Sequence, residues 1–213
     1  AVSSVGELAL SLGHRFTLGW ESRGTLARMP LGGGAPREVL EGVQDADWSP
    51  DGQNLAVVRE VGARRRLEYP IGRVLYETGG WVSHVRVRRD GGEVAFLDHP
   101  SRGDNQAAVK VVGPDRVIRN VAPSASNGLA WSASGDDLLF SNGSYLSASS
   151  LSGQSRTLFR VLGVTMLHDV SAEGRVLVGR TTAQREIVGR APGEARDRGL
   201  SWLDWSFPTA LSD

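Results

Sequence analysis

The chain has 213 residues, no cysteine, and 24 basic against 24 acidic side chains, so its formal net charge is zero. Without cysteine there is neither a disulfide framework nor a thiolate zinc site, and zero net charge argues against a nucleic-acid coat, which needs positive potential. No apolar run reaches the roughly 18 residues of a membrane span, while an apolar content of 40% is enough for a core and too much for disorder.

The chain opens at Ala1 with no methionine and carries no signal peptide or lipidation motif, so it reads as a fragment or a mature domain. From the start one pattern recurs: an apolar residue, Ser, two variable residues, Gly, then an alternating apolar run. The copies are Val2-Ser3-Ser4-Val5-Gly6, Trp48-Ser49-Pro50-Asp51-Gly52, Val87-Arg88-Arg89-Asp90-Gly91, Trp131-Ser132-Ala133-Ser134-Gly135 and Val170-Ser171-Ala172-Glu173-Gly174. A partial repeat from about 206 carries the next leader, Leu211-Ser212-Asp213. Leaders at 2, 48, 87, 131, 170 and 211 are spaced by 46, 39, 44, 39 and 41 residues. That matches the roughly 40–45 residues of a four-stranded propeller blade.

After each glycine comes a pair of apolar residues two apart: Leu8/Leu10, Leu55/Val57, Val94/Phe96, Leu138/Phe140 and Val176/Val178. Spacing by two places both side chains on one face of a strand. The segments before the turns alternate too, as in Ala46/Trp48 and Val85/Val87, so each copy reads as a hairpin. Two weaker strands follow in each unit, for example Val109–Val112 and Arg116–Val121 around Gly113-Pro114-Asp115. No stretch reads as helix. The expectation is one all-β domain over residues 1–213, a β-propeller of four-stranded antiparallel blades. Five complete repeats and the start of a sixth would make a five- or six-bladed or incomplete ring.

Ala46-Asp47-Trp48-Ser49-Pro50-Asp51-Gly52 resembles the WSPDG-type repeat of TolB-like propellers. Longer phrases resemble the C-terminal propeller of bacterial serine/threonine protein kinases: Leu67–Gly72, Val94–Pro100 and Leu200–Ser206. The resemblance implies a propeller attached to a kinase domain, often across a membrane helix, on the periplasmic or extracellular side; a cytoplasmic setting stays open. Arg88 departs from the pattern by replacing the repeat serine.

The chemistry is sparse. There is no Gly-x-Ser-x-Gly elbow, no phosphate-loop lysine, and no kinase catalytic loop. Lys110, the one lysine, lies mid-strand. His14, His84, His99 and His168 show no metal-ligand spacing, and His168 reads as a packed core histidine. Asp45, Asp47 and Asp51 do not form a calcium loop. Asp98-His99-Pro100 ends a strand and reads either as a turn stabilised by Asp98 or as a rim binding site. No metal or cofactor is expected.

The arginines and tryptophans carry more. Arg64-Arg65-Arg66 reads as a solvated loop tip. Arg86 and Arg88 alternate with Val85 and Val87 on an inner strand, where arginines need partners. One reading is a salt bridge from Asp47 of the preceding unit to Arg86; the other is an anion site at the channel mouth formed by Arg86, Arg88, His84 and Asp47. Trp48 and Trp131 are expected in blade packing, Trp202 and Trp205 in core or inter-blade packing. Trp20 and Trp81, in glycine-flanked loops, would form an interaction patch if exposed together.

The function expected is non-catalytic: a sensor or binding propeller for a protein or a small anionic ligand at the rim or channel. The other reading is the substrate-gating propeller of a prolyl-oligopeptidase-like serine peptidase. Nucleic acid and membrane insertion are not expected. An open ring would expose strand edges and invite self-association.

Overall fold

The same tight turn recurs five times. In each, the glycine N–H donates to the carbonyl of the residue three before it: Gly6 to Ser3, Gly52 to Ser49, Gly91 to Arg88, Gly135 to Ser132 and Gly174 to Ser171. These glycines have φ between 69° and 80°, a region that costs other residues about 1 kcal/mol or more. Where serine is present its hydroxyl also accepts an N–H from the next strand, as Ser49 does from Asn54 at 2.9 Å and Ser132 from Asp137 at 3.1 Å. Arg88 has no hydroxyl to offer. Its guanidinium instead pairs with Glu93 at 3.1 Å and Asp90 at 3.6 Å, and lies over the Trp131 ring.

The computed structural model describes residues 1–201 and Ser206. It is all-β, with no helix among the described residues. β1 (Glu7–Leu18), β2 (Glu21–Pro30), β3 (Arg37–Trp48), β4 (Leu55–Val61), β5 (Arg64–Glu68) and β6 (Val74–Thr78) pair in chain order. The long β3 serves two repeats: Arg37 to Val43 lie on β2, and Val43 to Trp48 lie on β4. β7 (Trp81–Val87), β8 (Val94–His99), β9 (Ala107–Val112) and β10 (Ile118–Ala125) form a four-stranded antiparallel sheet. So do β11 (Leu129–Trp131), β12 (Asp137–Asn142), β13 (Tyr145–Ser150) and β14 (Ser155–Arg160). β15 (Val164–Val170) pairs with β16 (Val176–Thr181), and the short β17 (Val188–Gly189) with β18 (Arg198–Gly199).

Alternation within the strands builds the cores between repeats. On β4, Leu55 and Val57 pack with Ala9 and Leu26 of the first repeat, while Ala56 and Val58 pack with Val85 and Phe96 of the third. On β8, Phe96 faces back and Leu97 faces forward, onto Leu129 and Leu138. Leu139, Leu146 and Ala148 then meet Leu167 and Val170 of the fifth. A fully buried Leu or Phe contributes roughly 1.5–3 kcal/mol, and no repeat can bury both faces alone. Trp48 and Trp131 sit in these cores as expected. Trp202 and Trp205, and the partial repeat from about 206 apart from Ser206, lie outside the described residues.

One expectation is overturned. Arg64-Arg65-Arg66 is not a loop tip but the start of β5, and Arg65 is fully buried. Its partner, Glu21, is distant in sequence and invisible to local charge reading.

Gly128 marks how closely the fourth and fifth repeats approach. With φ of +134°, it would place a Cβ 2.1 Å from the Leu167 carbonyl oxygen. Gly128→Ala should therefore cost about 1–3 kcal/mol in urea unfolding. An unchanged midpoint would contradict that packing.

Candidate functional site

β7, β11 and β15 each stand at an edge of their sheet, and with the Val43–Trp48 half of β3, which pairs only with β4, they line two cavities that share Asp45, Arg86 and His168 and together form a channel. The N–H and C=O groups on these open edges must find other partners. Side chains from neighbouring repeats supply them. Asp45 and Asp47 on β3 accept the N–H groups of Val85 (2.9 Å) and Val87 (2.8 Å) on β7. The Trp131 indole donates to the Arg86 carbonyl at 3.0 Å. The Arg86 guanidinium donates to the Val85 carbonyl at 2.8 Å and, reaching to the fifth repeat, to the His168 carbonyl at 3.0 Å. Arg89 does the same for Val170 at 2.9 Å.

This arrangement revises the expected charge pairing. Asp47 and Arg86 line the same cavity, but Asp47 binds backbone N–H and Arg86 binds backbone carbonyls, with no ion pair between them. Backbone edge groups are the harder debt to leave unpaid, and these side chains meet it. Arg88 does not join an anion site with Arg86: its guanidinium is held in the turn by Glu93 and Asp90.

At one mouth of the channel the inner strands depart from regular pairing. β3 carries a register shift at Gln44, β7 one across His84 and Val85, and β15 one at His168. A bulge adds one residue, breaks alternation and re-aims a side chain. Here Gln44, His84 and His168 line a single cavity of about 360 Å³ with Trp20, Trp81, Ser83, Asn105, Ser126 and Asn127. His84 holds φ of 51°, uncommon for a residue with a Cβ. Ser83 Oγ lies 2.8 Å from His84 Nδ1 and 2.8 Å from His99 Nε2. His99 is fully buried and stacked on Trp81, with ring centroids 3.6 Å apart. Burial disfavours the charged form of both imidazoles: His84 is pushed down from its ordinary value, and His99 is pushed down to about 4.

Trp20 stands at the rim because Glu21 is clamped. Glu21, fully buried, accepts Arg65 Nη2 at 3.1 Å, Arg102 Nη2 at 3.0 Å and the Gly103 N–H at 3.1 Å. The β1–β2 hairpin is thereby tied to both the second and third repeats. A buried carboxylate with several charge-assisted donors is satisfied; removing it would leave the buried Arg65 only Glu60, 3.6 Å away, as a carboxylate partner. The two tryptophans are not exposed together: Trp20 is 60% exposed and Trp81 only 5%.

Of the expected site residues, the fold brings His84, Arg86 and Asp47 to the channel and leaves Arg88 in its turn. His168 is not a core residue but an exposed channel group. Asp98 is buried and paired with Lys110 at 2.7 Å. The reading from residues missed Gln44, Ser83 and the Asn105–Asn127 pair. The broken alternation at the bulges was the available signal.

No protein-family model and no curated protein matches the sequence. In backbone the chain is similar to TolB from Acinetobacter baumannii, with TM-score 0.66 and 16% identity, over 91% of this chain and 49% of that one. It thus spans about half the length of that protein. It is also similar to a putative TolB from Agrobacterium tumefaciens, with TM-score 0.57 and 17% identity over 78% of this chain and 67% of that one. A third similar structure is the β-propeller domain of the Trilobed protease from Pyrococcus furiosus, described as having an open velcro topology. Its TM-score is 0.54 at 11% identity, over 91% of this chain and 67% of that one. These likenesses establish a β-propeller with TolB-like neighbours.

Burial pushes the Asp47 carboxyl up from 3.8 to about 6, against the pull of Arg86 and the Val87 N–H. The folded protein thus holds this proton more tightly than the unfolded chain. The group favours folding below about pH 4 and loses that contribution as pH rises to about 6. Asp47→Asn, which keeps an oxygen for Val87, should gain in Tm over wild type between about pH 4 and 7. A difference that stays flat across that range would contradict the assignment.

Proposed function

We propose that this β-propeller is a non-catalytic recognition domain that binds at the channel mouth beside Trp20. One observation carries the reading: bulges on three inner strands turn Gln44, His84 and His168 into one cavity beneath a clamped, exposed tryptophan. Concave sites with an aromatic wall and a few placed polar groups are the usual form of ligand pockets.

Ser83 between two imidazoles raises the question of hydrolysis. A general base works best with a pKa near the operating pH. His99 is held near 4, and its ring stacks beneath Trp81. These features favour a hydrogen-bonded spacer over a nucleophile. The resemblance of Leu67–Gly72 and Val94–Pro100 to kinase-attached propellers supports a sensor role in a signalling protein. The likeness to a protease propeller supports the gating role as a second reading.

A titration followed by tryptophan emission tests the proposal, using free amino acids, tripeptides, neutral disaccharides and sugar phosphates as probes. At least one class should give a saturable change that Trp20→Ala abolishes. Turnover of p-nitrophenyl acetate should not exceed that of Ser83→Ala. Ser83-dependent turnover, or no Trp20-dependent binding by any class, would sink it.

A further inference from the structure

We infer that the channel mouth takes a small monocarboxylate with an apolar body, its carboxylate on Arg86 and its body against Trp20. The inference rests on the recognition reading above and names its ligand class.

Apart from histidines, two ionisable side chains line the mouth cavity, Asp45 and Arg86. They are not equally engaged. Both Asp45 oxygens accept backbone N–H groups, of Ala46 at 2.8 Å and Val85 at 2.9 Å. Arg86 meets only neutral groups, the Val85 carbonyl through Nη1 and the His168 carbonyl through Nη2. A guanidinium carries five N–H donors, so Nε–H and one proton on each Nη make no hydrogen bond among the described residues. The Nε atoms of Arg23, Arg28 and Arg65 are shut off from solvent without a partner; that of the half-buried Arg86 is open. The open charge of the cavity is therefore the cation.

A carboxylate fits it. Its two oxygens match the planar guanidinium fork, and charge-assisted bonds are stronger than those Arg86 makes to carbonyls. One cation answers one negative charge, whereas a phosphate dianion or a dicarboxylate would turn a second charge toward Asp45. Neutral donors line the same cavity: the Ser22 hydroxyl makes no hydrogen bond, and the Asn105 amide spends one of its two protons on Asn127 at 2.9 Å. Of the anion site expected from the sequence, Arg86 stays and Arg88 drops out, held by Glu93 and Asp90.

The rest of the wall suits an aryl or alkyl body. Trp20 is 60% and Met166 39% exposed, and both line the cavity. Its volume of about 360 Å³ is at the small end of ligand sites.

The test titrates the full chain at pH 7 with benzoate, hexanoate and N-acetylleucine, against benzamide, phosphate and maltose, by calorimetry and tryptophan emission. At least one monocarboxylate should bind saturably, and benzamide about tenfold more weakly than benzoate or not at all. Arg86→Gln should weaken monocarboxylate binding about tenfold or more, and Trp20→Ala about threefold or more. Arg88→Gln should leave it unchanged. Arg86→Lys, which keeps the charge and loses the fork, should weaken it about three- to tenfold, and it decides the matter if Arg86→Gln does not fold. Monocarboxylate binding indifferent to the Arg86 substitutions would overturn the site. Trp20-dependent binding of benzamide, phosphate or maltose, as tight as that of every monocarboxylate or tighter, would overturn the ligand class and leave the recognition reading standing. No monocarboxylate binding would overturn the inference alone; the recognition reading falls with it only if amino acids, tripeptides, disaccharides and sugar phosphates fail as well.

Discussion

A propeller closes the outer edges of its sheets poorly and its inner edges not at all. At the axis each blade presents a strand whose outward N–H and C=O groups have no neighbouring strand. In this protein those groups are met by side chains reaching between repeats. Asp45 and Asp47 serve Val85 and Val87, Trp131 serves Arg86, and Arg86 and Arg89 serve His168 and Val170. The hydrophobic cores between repeats supply most of the cohesion, but they are non-directional. The directional bonds at the axis fix which strand lies against which.

That constraint also explains the mouth. Where the inner strands run regularly, their side chains are consumed by the edge. Where they bulge, at Gln44, His84 and His168, side chains are released into the cavity. The charged residues Asp47 and Arg86, which look functional in the sequence, therefore meet backbone groups at the edge. Rigidity comes from above as well, since Glu21 joins three repeats through Arg65, Arg102 and Gly103.

How much was legible follows from how local each interaction is. The Ser49–Gly52 turn and the Leu55/Val57 face depend on residues within a few positions, so spacing alone locates them. The bond from Asp47 to Val87 spans 40 residues, and composition at either end is equally compatible with an ion pair to Arg86. Arg65 looked solvated because its flanks are arginines; its partner lies 44 residues away. His168 falls in an alternating column only if the strand is regular, and the bulge moves it to the other side. The candidate site was partly visible, in His84 and Arg86, and partly hidden, in Gln44 and Ser83, for that reason.

Amide hydrogen exchange at Val85 and Val87 tests the edge-capping account most directly. Both amides should be protected in the wild-type protein, and Asp45→Ala and Asp47→Ala should each expose mainly the amide that carboxylate serves, while the Phe96 and Leu97 amides keep their protection. Fast exchange at Val85 and Val87 in the unaltered protein, or protection that survives both substitutions, would contradict it.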